Sequence, residues 1–208
     1  RYKTAGCDYV YGGYNSGGGG FWDGTTNVNG VLTVEPENAE FTYAGSSPIS
    51  FCQEEADPSP TITGVSGGSF SSTPAGLTIN TSDGEIDLTN STPGTYTVTY
   101  TTPNCNSTYS QSVTVNSSPT ANVSSDVTIC NGQTTSLSAS GGGSYAWSPA
   151  TGLSSVIIPN PTASPSSTTT YTLTVTDGNG CQDSDQVMVT VNAIPTVSAG
   201  SDQTVCFG

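Results

Sequence analysis

Six cysteines are the residues of this chain with the most distinctive chemistry, and they stand singly in the sequence. They occur as Cys7, Cys52, Cys105, Cys130, Cys181 and Cys206. Because no Cys-x-x-Cys pair is present and the sequence contains no histidine, a structural zinc site is disfavoured against a set of disulfides. The spacing has a period: Cys52 to Cys130 is 78 residues, and Cys105 to Cys181 and Cys130 to Cys206 are both 76. This period indicates an internal repeat.

The strand predicted to close each repeat recurs as well. It reads GVLTVEP around Val34, QSVTVNSSP around Val115 and VMVTVNAIP around Val191, and each copy alternates apolar and polar residues before a proline. These segments divide the chain into the C-terminal part of a preceding repeat with a Gly-rich insertion, two whole repeats and the start of a following repeat. The predicted ranges are 1–37, 38–117, 118–194 and 195–208.

This repeat register predicts one disulfide inside each whole repeat, between an early and a late strand. The predicted pairs are Cys52 with Cys105 and Cys130 with Cys181, and each closes a loop that would contribute about 4 kcal/mol by the chain-entropy estimate. Cys7 and Cys206 are left as candidates for bonds to neighbouring repeats. A bond between Cys7 and Cys206, within one chain or between subunits, is the alternative.

Three groups of carboxylates are candidates for calcium ligands, because Ca²⁺ prefers hard oxygen donors. Calcium gathered between repeats would stiffen the array, and no other cofactor is expected. The alternative is an acidic surface that keeps the repeats soluble. The first and main group is Glu35, Glu37, Glu40, Glu54, Glu55 and Asp57, the second is Asp83, Glu85 and Asp87, and the third is Asp177, Asp183 and Asp185.

A Gly-rich insertion of about 17 residues lies between Cys7 and the strand around Val34. Its length follows from the spacing, because Cys7 to Val34 is 27 residues, whereas Cys105 to Val115 and Cys181 to Val191 are both 10. Aromatic rings in such a segment could stack on a sugar ring or pack on a neighbouring subunit. The alternative is a loop that folds back on its own domain. The candidate contact residues are Tyr9, Tyr11, Tyr14, Phe21 and Trp22.

Charge and composition exclude several classes of function. The only cations are Arg1 and Lys3, against 16 acidic residues, which argues against binding to nucleic acid or to anionic membranes. No apolar run is long enough to span a bilayer, so membrane insertion is not expected.

Without histidine, the Ser/His/Asp and Cys/His nucleophile arrangements cannot be built, and the adjacent pair Glu54 and Glu55 is typical of a solvated turn. We therefore expect no enzymatic activity. The absence of a leader peptide is expected of an interior piece of a longer precursor.

The elements that position these residues are predicted to be short β-strands throughout. They are expected to form tandem, immunoglobulin-like β-sandwich repeats that are stapled by disulfides. Gly, Pro and Asp-Gly turns interrupt short alternating segments, which place Leu77, Ile79, Ile86 and Leu88 inward. A later strand puts Tyr96, Val98 and Tyr100 on one face. In the second repeat, the order Cys130, Trp147, Tyr171, Cys181 is typical of the immunoglobulin sandwich and predicts that Trp147 packs on the bridge.

Several segments also carry a resemblance to a known class of repeat. YAWSPATGL, TYTLTVTDGNGC and IPTVSAGSDQTVC, together with STPAGLTINTSDGEIDL and PGTYTVTYTT, resemble the PKD-like and Ig-like repeats of giant secreted surface proteins of the Bacteroidota, including gliding-motility adhesins. The resemblance spans residues 38–208. It implies export by the type IX secretion route, attachment at the outer cell surface, and a role in adhesion, gliding or biofilm.

The leading functional hypothesis is a structural or adhesive segment of a large extracellular protein. Its expected partners are neighbouring repeats or subunits of the same protein and surface glycans. One alternative is a filament subunit that assembles head to tail by sharing strands. The other is a carbohydrate-binding accessory module of a secreted hydrolase.

Overall fold

The computed structural model describes residues 2–4, 7–12, 31–35, 37–45, 48–197, 200 and 202, and before residue 37 it describes only the backbone. Every regular element in this part of the chain is a β-strand, which confirms the predicted all-β class. The chain divides into two compact units, residues 1–117 (unit 1) and 118–208 (unit 2). None of the described residues forms a helix long and apolar enough to cross a membrane.

The strands nearest the N-terminus form a small antiparallel sheet in the order β1-β2-β3. The central strand β2 pairs with both neighbours, and Tyr9 lies opposite Tyr2 on one side and Val34 on the other. The segment around Val34 is thus a strand, as its alternating pattern predicts. These strands are β1 (Tyr2–Thr4), β2 (Cys7–Gly12) and β3 (Val31–Glu35).

Unit 1 continues with a β-sandwich built around a four-stranded sheet of order β5-β11-β10-β7 and two short strand pairs, β4-β6 and β8-β9. The first strand of this sheet, β5, runs parallel to the last strand of the unit, β11, whereas β10 is antiparallel to both of its neighbours. The strands are β4 (Phe41–Tyr43), β5 (Ile49–Cys52), β6 (Pro60–Ile62), β7 (Ser69–Thr73), β8 (Thr78–Ile79), β9 (Ile86–Asp87), β10 (Gly94–Thr101) and β11 (Thr108–Asn116).

The core of unit 1 is rich in aromatic rings. Strand β10 buries alternate residues, so Tyr96, Val98 and Tyr100 share the inner face, as the sequence pattern predicts. Leu77, Ile86 and Leu88 are buried as expected, and Ile79 packs against the same core while only half-buried. The other buried residues of this core are Ala39, Phe41, Tyr43, Phe51, Phe70, Val113 and Val115.

Unit 2 repeats the same arrangement. Its four-stranded sheet has the order β13-β19-β18-β16, with β13 parallel to β19, and two short pairs, β12-β15 and β14-β17, complete the sandwich. The strands are β12 (Asn122–Val123), β13 (Val127–Cys130), β14 (Thr135–Ser136), β15 (Ala139–Ser140), β16 (Ser144–Ser148), β17 (Thr162–Ala163), β18 (Thr169–Thr176) and β19 (Gln182–Asn192).

Trp147 and Tyr171 are the large aromatic residues in the core of unit 2. Trp147 is only 4% exposed, and its Nε1–H donates a hydrogen bond of 3.0 Å to the carbonyl oxygen of Ile158. Its predicted packing on a Cys130–Cys181 bridge is wrong, because the thiol of Cys130 is free. Trp147 belongs instead to a core cluster that includes aliphatic residues of β18 and β19: Leu173, Val175, Val187 and Val189.

Candidate functional site

The cysteines of the two units occupy two matching positions. Cys52 ends β5 opposite Asn116 of β11, and Cys130 ends β13 opposite Asn192 of β19. Cys105 and Cys181 lie in the turns that precede β11 and β19. We call the first pair the early cysteines and the second pair, Cys105 and Cys181, the turn cysteines.

This placement overturns both predicted disulfides. Strand β11 runs from Thr108, next to the Cys105 turn, to Asn116, next to Cys52, which separates the two cysteines by about 26 Å at the usual rise of a strand. A disulfide needs Cα atoms closer than about 7 Å. In unit 2 the same geometry separates Cys181 from Cys130 by the length of β19. The predicted pairs followed from the repeat register, which relates equivalent cysteines of the two repeats and does not give the distance between an early and a late strand.

Oxidation differs between the two early cysteines. Cys52, Cys105 and Cys181 are disulfide-bonded, whereas Cys130 is an exposed free thiol. Cys52 is 9% exposed, although it occupies the same register position as Cys130. The prediction that disulfides staple these units therefore holds, but the bonds are not the predicted intra-repeat ones.

A carboxylate organises the turn that carries Cys181. The Oδ1 atom of Asp177 accepts hydrogen bonds of 2.9 Å from the backbone N–H groups of Asn179 and Cys181. The backbone N–H of Asp177 donates in turn to the carbonyl oxygen of Cys181, also at 2.9 Å. Asp177 thus fixes the turn, and Cys181 is almost fully buried within it.

Glu37 has the matching role beside Cys105. Its backbone N–H donates to Ser107 Oγ at 2.8 Å, and its carboxylate accepts from Asn104 Nδ2 and, at 3.5 Å, from the backbone N–H of Cys105. Hydrogen bonds from Thr102, Asn104 and Cys105 hold the pKa of Glu37 below its usual value, in spite of partial desolvation. The carboxylate therefore stays ionised and braces this turn.

Two aspartates of β19 bind the edge of the first strand of unit 2. Asp183 Oδ2 accepts from the backbone N–H of Ala121 at 2.8 Å, and Asp185 Oδ2 accepts from that of Val123 at 2.9 Å. On the other side, Asp126 Oδ1 accepts from the backbone N–H of Met188 at 2.8 Å. These residues are structural acceptors for strand amides. The alternation in the sequence QDSDQ carried the signal, since residues two apart in a strand share a face.

Carboxylates of unit 1 are used in the same way. Asp57 Oδ1 accepts from the backbone N–H of Leu88 at 2.9 Å, and Glu55 accepts from that of Cys52 at 3.2 Å. Asp83 accepts from the backbone N–H of Glu85 at 3.0 Å. Asp87 accepts hydrogen bonds from the side-chain amide and the backbone N–H of Asn90, which lower the pKa of Asp87 below its usual value. Glu40 and Glu54 are exposed to solvent.

An open cleft of about 350 Å³ brings part of the first and second acidic groups together. It is lined by Asp57, Thr78, Ile79, Asn80, Glu85 and Asp87. Even so, no three acidic or cysteine side chains of the described ranges are arranged to hold a metal ion. Calcium binding remains a prediction. A thermal melt with and without millimolar Ca²⁺ tests it, and an unchanged midpoint would remove it.

The predicted contact residues of the Gly-rich insertion cannot be placed from the described part of the chain. Tyr9 and Tyr11 lie in β2, Cys7 begins that strand and Glu35 ends β3, but only their backbone is described. Their roles therefore stay predictions. Tyr14, Phe21, Trp22 and Cys206 lie outside the described residues.

Comparison with known proteins agrees with this fold. Residues 117–195 match the family described as "Ig-like domain CHU_C associated". No curated protein matches the chain. The solved structures similar to it include extracellular domains 3–5 of Drosophila OTK, with 9% identity and a TM-score of 0.36 over 74% of this chain and 62% of that one.

Two further structures are similar at the same low level. The surface-layer protein SbsC (31–844) has 18% identity and a TM-score of 0.32 over 93% of this chain and 36% of that one. The titin I-band fragment I67–I69 has 12% identity and a TM-score of 0.34 over 70% of this chain and 62% of that one. The chain thus spans less than two thirds of the length of these structures. Together with the sheet order, the family match establishes an immunoglobulin-like fold.

Proposed function

We propose that this chain is a structural and adhesive segment of a large protein on the outside of the cell. The observation that carries the proposal is the repetition itself: the same sheet order and the same strand register occur in both units. Repeats of this kind build extended arrays in which each unit contacts its neighbours in sequence. A segment of such an array spaces, connects or presents binding sites and needs no catalytic group.

The extracellular location rests on the state of the cysteines. Three of the four cysteines whose side chains the structure describes are disulfide-bonded, and protein disulfides persist chiefly in oxidising compartments such as the periplasm or the cell exterior. The net charge of −14 suits a soluble surface and disfavours contact with nucleic acid or anionic lipid. The partners that we propose, neighbouring repeats and surface glycans, do not require a cationic surface on this chain.

The finer proposal is a role in adhesion, gliding or biofilm in a member of the Bacteroidota, after export by the type IX route. The repeat phrases of both units support it, since they resemble those of gliding-motility adhesins. The match of unit 2 to an Ig-like family is compatible with the same class.

Two experiments in the source cells test location and role separately. First, protease added to intact cells should remove the chain from a blot, while a cytosolic marker survives. Second, residues 38–194 are deleted or replaced by an unrelated pair of immunoglobulin sandwiches. We expect deletion to weaken surface attachment. Attachment rescued by the replacement identifies a spacer, and attachment that stays weak identifies binding by these units. Protection of the chain in intact cells would contradict the proposal.

Sugar binding is a second candidate function, supported by the aromatic residues of the Gly-rich insertion. The chain has two tryptophans, and the 4% exposure of Trp147 removes it from direct ligand contact. A sugar that stacks on Trp22 should therefore quench the fluorescence of the intact chain. Trp22→Phe should abolish the response, and an Ile157→Ala control at an exposed residue of unit 2 should retain it. Absence of quenching across common polysaccharides would remove this candidate.

A further inference from the structure

The last strand of unit 1, β11, is paired on one side along its whole length and on the other side along only part of it. Strand β10 pairs with every residue from Thr108 to Val115, whereas β5 pairs with β11 only from Val113 to Asn116. Among the described residues, no strand therefore lies beside residues 108–112 on the β5 side. We call residues 108–112 the open edge.

Backbone groups of alternate residues point out of the open edge. The carbonyl oxygen of Ser107 accepts a hydrogen bond of 2.9 Å from the backbone N–H of Thr102, which follows β10, so Ser107 directs its backbone groups toward β10. Successive residues of a strand point in opposite directions. Thr108, Ser110 and Ser112 therefore direct their N–H and C=O groups away from β10, and all three residues are exposed.

The equivalent edge of unit 2 is protected at the corresponding position. There the backbone N–H of Met188, which corresponds to Ser112, donates to Asp126 Oδ1 at 2.8 Å. The residue of unit 1 at the position of Asp126, directly before β5, is Pro48. Because proline has no side-chain acceptor, the N–H of Ser112 lacks this protection.

The open edge also lacks the charges that flank its counterpart. Asp183 and Asp185 of β19 correspond to Ser107 and Tyr109, and residues 88–125 contain no charged side chain. Charged residues at a sheet edge oppose pairing with a strand of another chain. In a chain with a net charge of −14, a second copy can approach the open edge without placing carboxylates directly opposite each other.

Two side chains on the inner face of the open edge are incompletely covered or paired. Tyr109 is 38% exposed, and its ring meets that of Phe41 edge to face at 5.7 Å. The Oε1 atom of Gln111 is buried and has no hydrogen-bond partner in the described part of the chain. A buried acceptor without a donor lowers stability, so a partner that supplies a donor here would be favoured.

We propose that the open edge pairs with the open edge of a second copy of this chain, as antiparallel strands related by a two-fold axis at Ser110. In this register Ser110 lies opposite its own counterpart, and Thr108 lies opposite Ser112 of the partner subunit. Every backbone group that points out of one edge thus faces a group of the other, and each facing pair exchanges two hydrogen bonds. The four-stranded sheets of the two copies become one continuous sheet.

The side chains of the open edge match the same register. Tyr109 of one copy lies opposite Gln111 of the partner subunit, in a pair whose side chains are close because their backbones exchange no hydrogen bonds. The Tyr109 hydroxyl is a donor for the unpartnered Oε1 atom of Gln111, and the pairing covers the exposed ring. The edge supplies both halves of the interface, which is the reason for a second copy as the occupant.

Sedimentation equilibrium of the intact 208-residue chain tests the pairing. Free thiols are alkylated first, and a non-reducing denaturing gel verifies that each chain has the monomeric mass of 21.0 kDa. We expect a reversible dimer that tightens as salt is raised, because salt screens the repulsion between two anionic copies. A mass that stays at 21.0 kDa up to about 1 mM protein, at low and at high salt, would overturn the proposal.

Substitutions at the two-fold axis locate the interface. Ser110→Pro removes an N–H that points out of the edge, a position where a strand tolerates proline, and Ser110→Asp places two carboxylates opposite each other. We expect each to raise the dimer dissociation constant by about tenfold or more. The matched control is Ser71→Asp, because Ser71 is exposed and lies in the same row of the sheet, beyond Thr99. A dimer that both Ser110 variants leave intact would overturn the proposal.

Hydrogen exchange of the unmutated chain tests the register without depending on the folding of a variant. Raising the protein concentration should slow exchange at Thr108, Ser110 and Ser112. The N–H of Met188, which already has its acceptor, should exchange at an unchanged rate. Dimer formation without protection of the three open-edge amides would overturn the proposal. Both measurements use the purified chain, so their outcome is separate from the test of cellular location.

Discussion

Units 1 and 2 share one sheet order but fill their cores with different side chains. In unit 1 aromatic rings meet edge to face: the Phe41 ring lies 5.3 Å from that of Phe70, 5.9 Å from that of Tyr43 and 6.3 Å from that of Tyr100. In unit 2 aliphatic residues surround Trp147 and Tyr171. Strand register and turn positions are thus the common feature, and the identity of the core residues is free to vary as long as the volume is filled.

One glycine in each unit lies where a larger residue would collide with the backbone of a neighbouring strand. A Cβ atom at Gly68 would come within 2.0 Å of the carbonyl oxygen of Thr101, and one at Gly143 within 1.9 Å of that of Thr176. In each unit this glycine precedes the edge strand of the sheet, and the carbonyl belongs to the central strand beside it. Close backbone approach at this corner is therefore a shared requirement of the repeat.

Removal of the largest ring from the core of unit 2 should have the largest effect on stability, and it should affect unit 2 and not unit 1. We expect Trp147→Ala to lower the unfolding free energy of unit 2 by about 3–5 kcal/mol, because it leaves a cavity in a core that offers few other large side chains. Chemical denaturation followed by circular dichroism should show an early transition for unit 2 and an unchanged one for unit 1. Ile157→Ala, at a residue that is 72% exposed, is the control. A loss of equal size in both units would contradict this expectation.

Substitution of the glycine that precedes the edge strand should have a similar effect on stability in the two units. Gly68→Ala and Gly143→Ala each force a methyl group against backbone, and we expect each to cost about 1–3 kcal/mol in its own unit. Gly178→Ala, with nothing within 4 Å of the added Cβ, is the matched control. Thermal melts of the three variants provide the measurement. If either corner variant melted like the control, the equivalence of the two corners would fail.

Removal of the aspartates that bind the edge of β12 should destabilise unit 2 only. Asp183→Ala or Asp185→Ala leaves one strand amide without its acceptor, and we expect a loss of about 1 kcal/mol each. Hydrogen exchange at Ala121 and Val123 should speed up selectively. Ser184→Ala, between the two aspartates on the strand, should change neither exchange rate. Unaltered exchange in the aspartate variants would mean that these carboxylates do not hold the strand.

Acid should reveal a smaller effect in unit 1. Hydrogen bonds from the side chain and backbone of Asn90 depress the pKa of Asp87, so the stabilisation by the carboxylate is present above the usual aspartate pKa of 3.8 and is lost as pH falls through the lower pKa of the folded state. The melting difference between the unmutated chain and Asp87→Asn should therefore be present at neutral pH and shrink in acid. The exposed Glu54→Gln variant is the control. A difference that is independent of pH would refute this assignment.

The sequence predicted the fold well, because the relevant signals are local. Alternation predicted the inner face of β10, and the period of 76–78 residues correctly matched Cys52 with Cys130 and Cys105 with Cys181 as equivalent positions. The predicted disulfides within each repeat were wrong because the period identifies equivalent residues of the two repeats and gives no distance between residues of one repeat. Only the parallel register of β5 with β11 shows that Cys52 and Cys105 lie far apart. The carboxylates were candidates for calcium ligands because composition identifies an oxygen donor but not the backbone N–H group from which that oxygen accepts a hydrogen bond.

The mass of the native polypeptide tests the central claim most directly. Material from the source cells is run on a denaturing gel with and without reductant and detected by an antibody against unit 2. A segment of a large surface protein predicts one species far above 21.0 kDa in both lanes. A species near 21.0 kDa, with a ladder of multiples only when reductant is omitted, would contradict it and identify a filament subunit assembled from short chains.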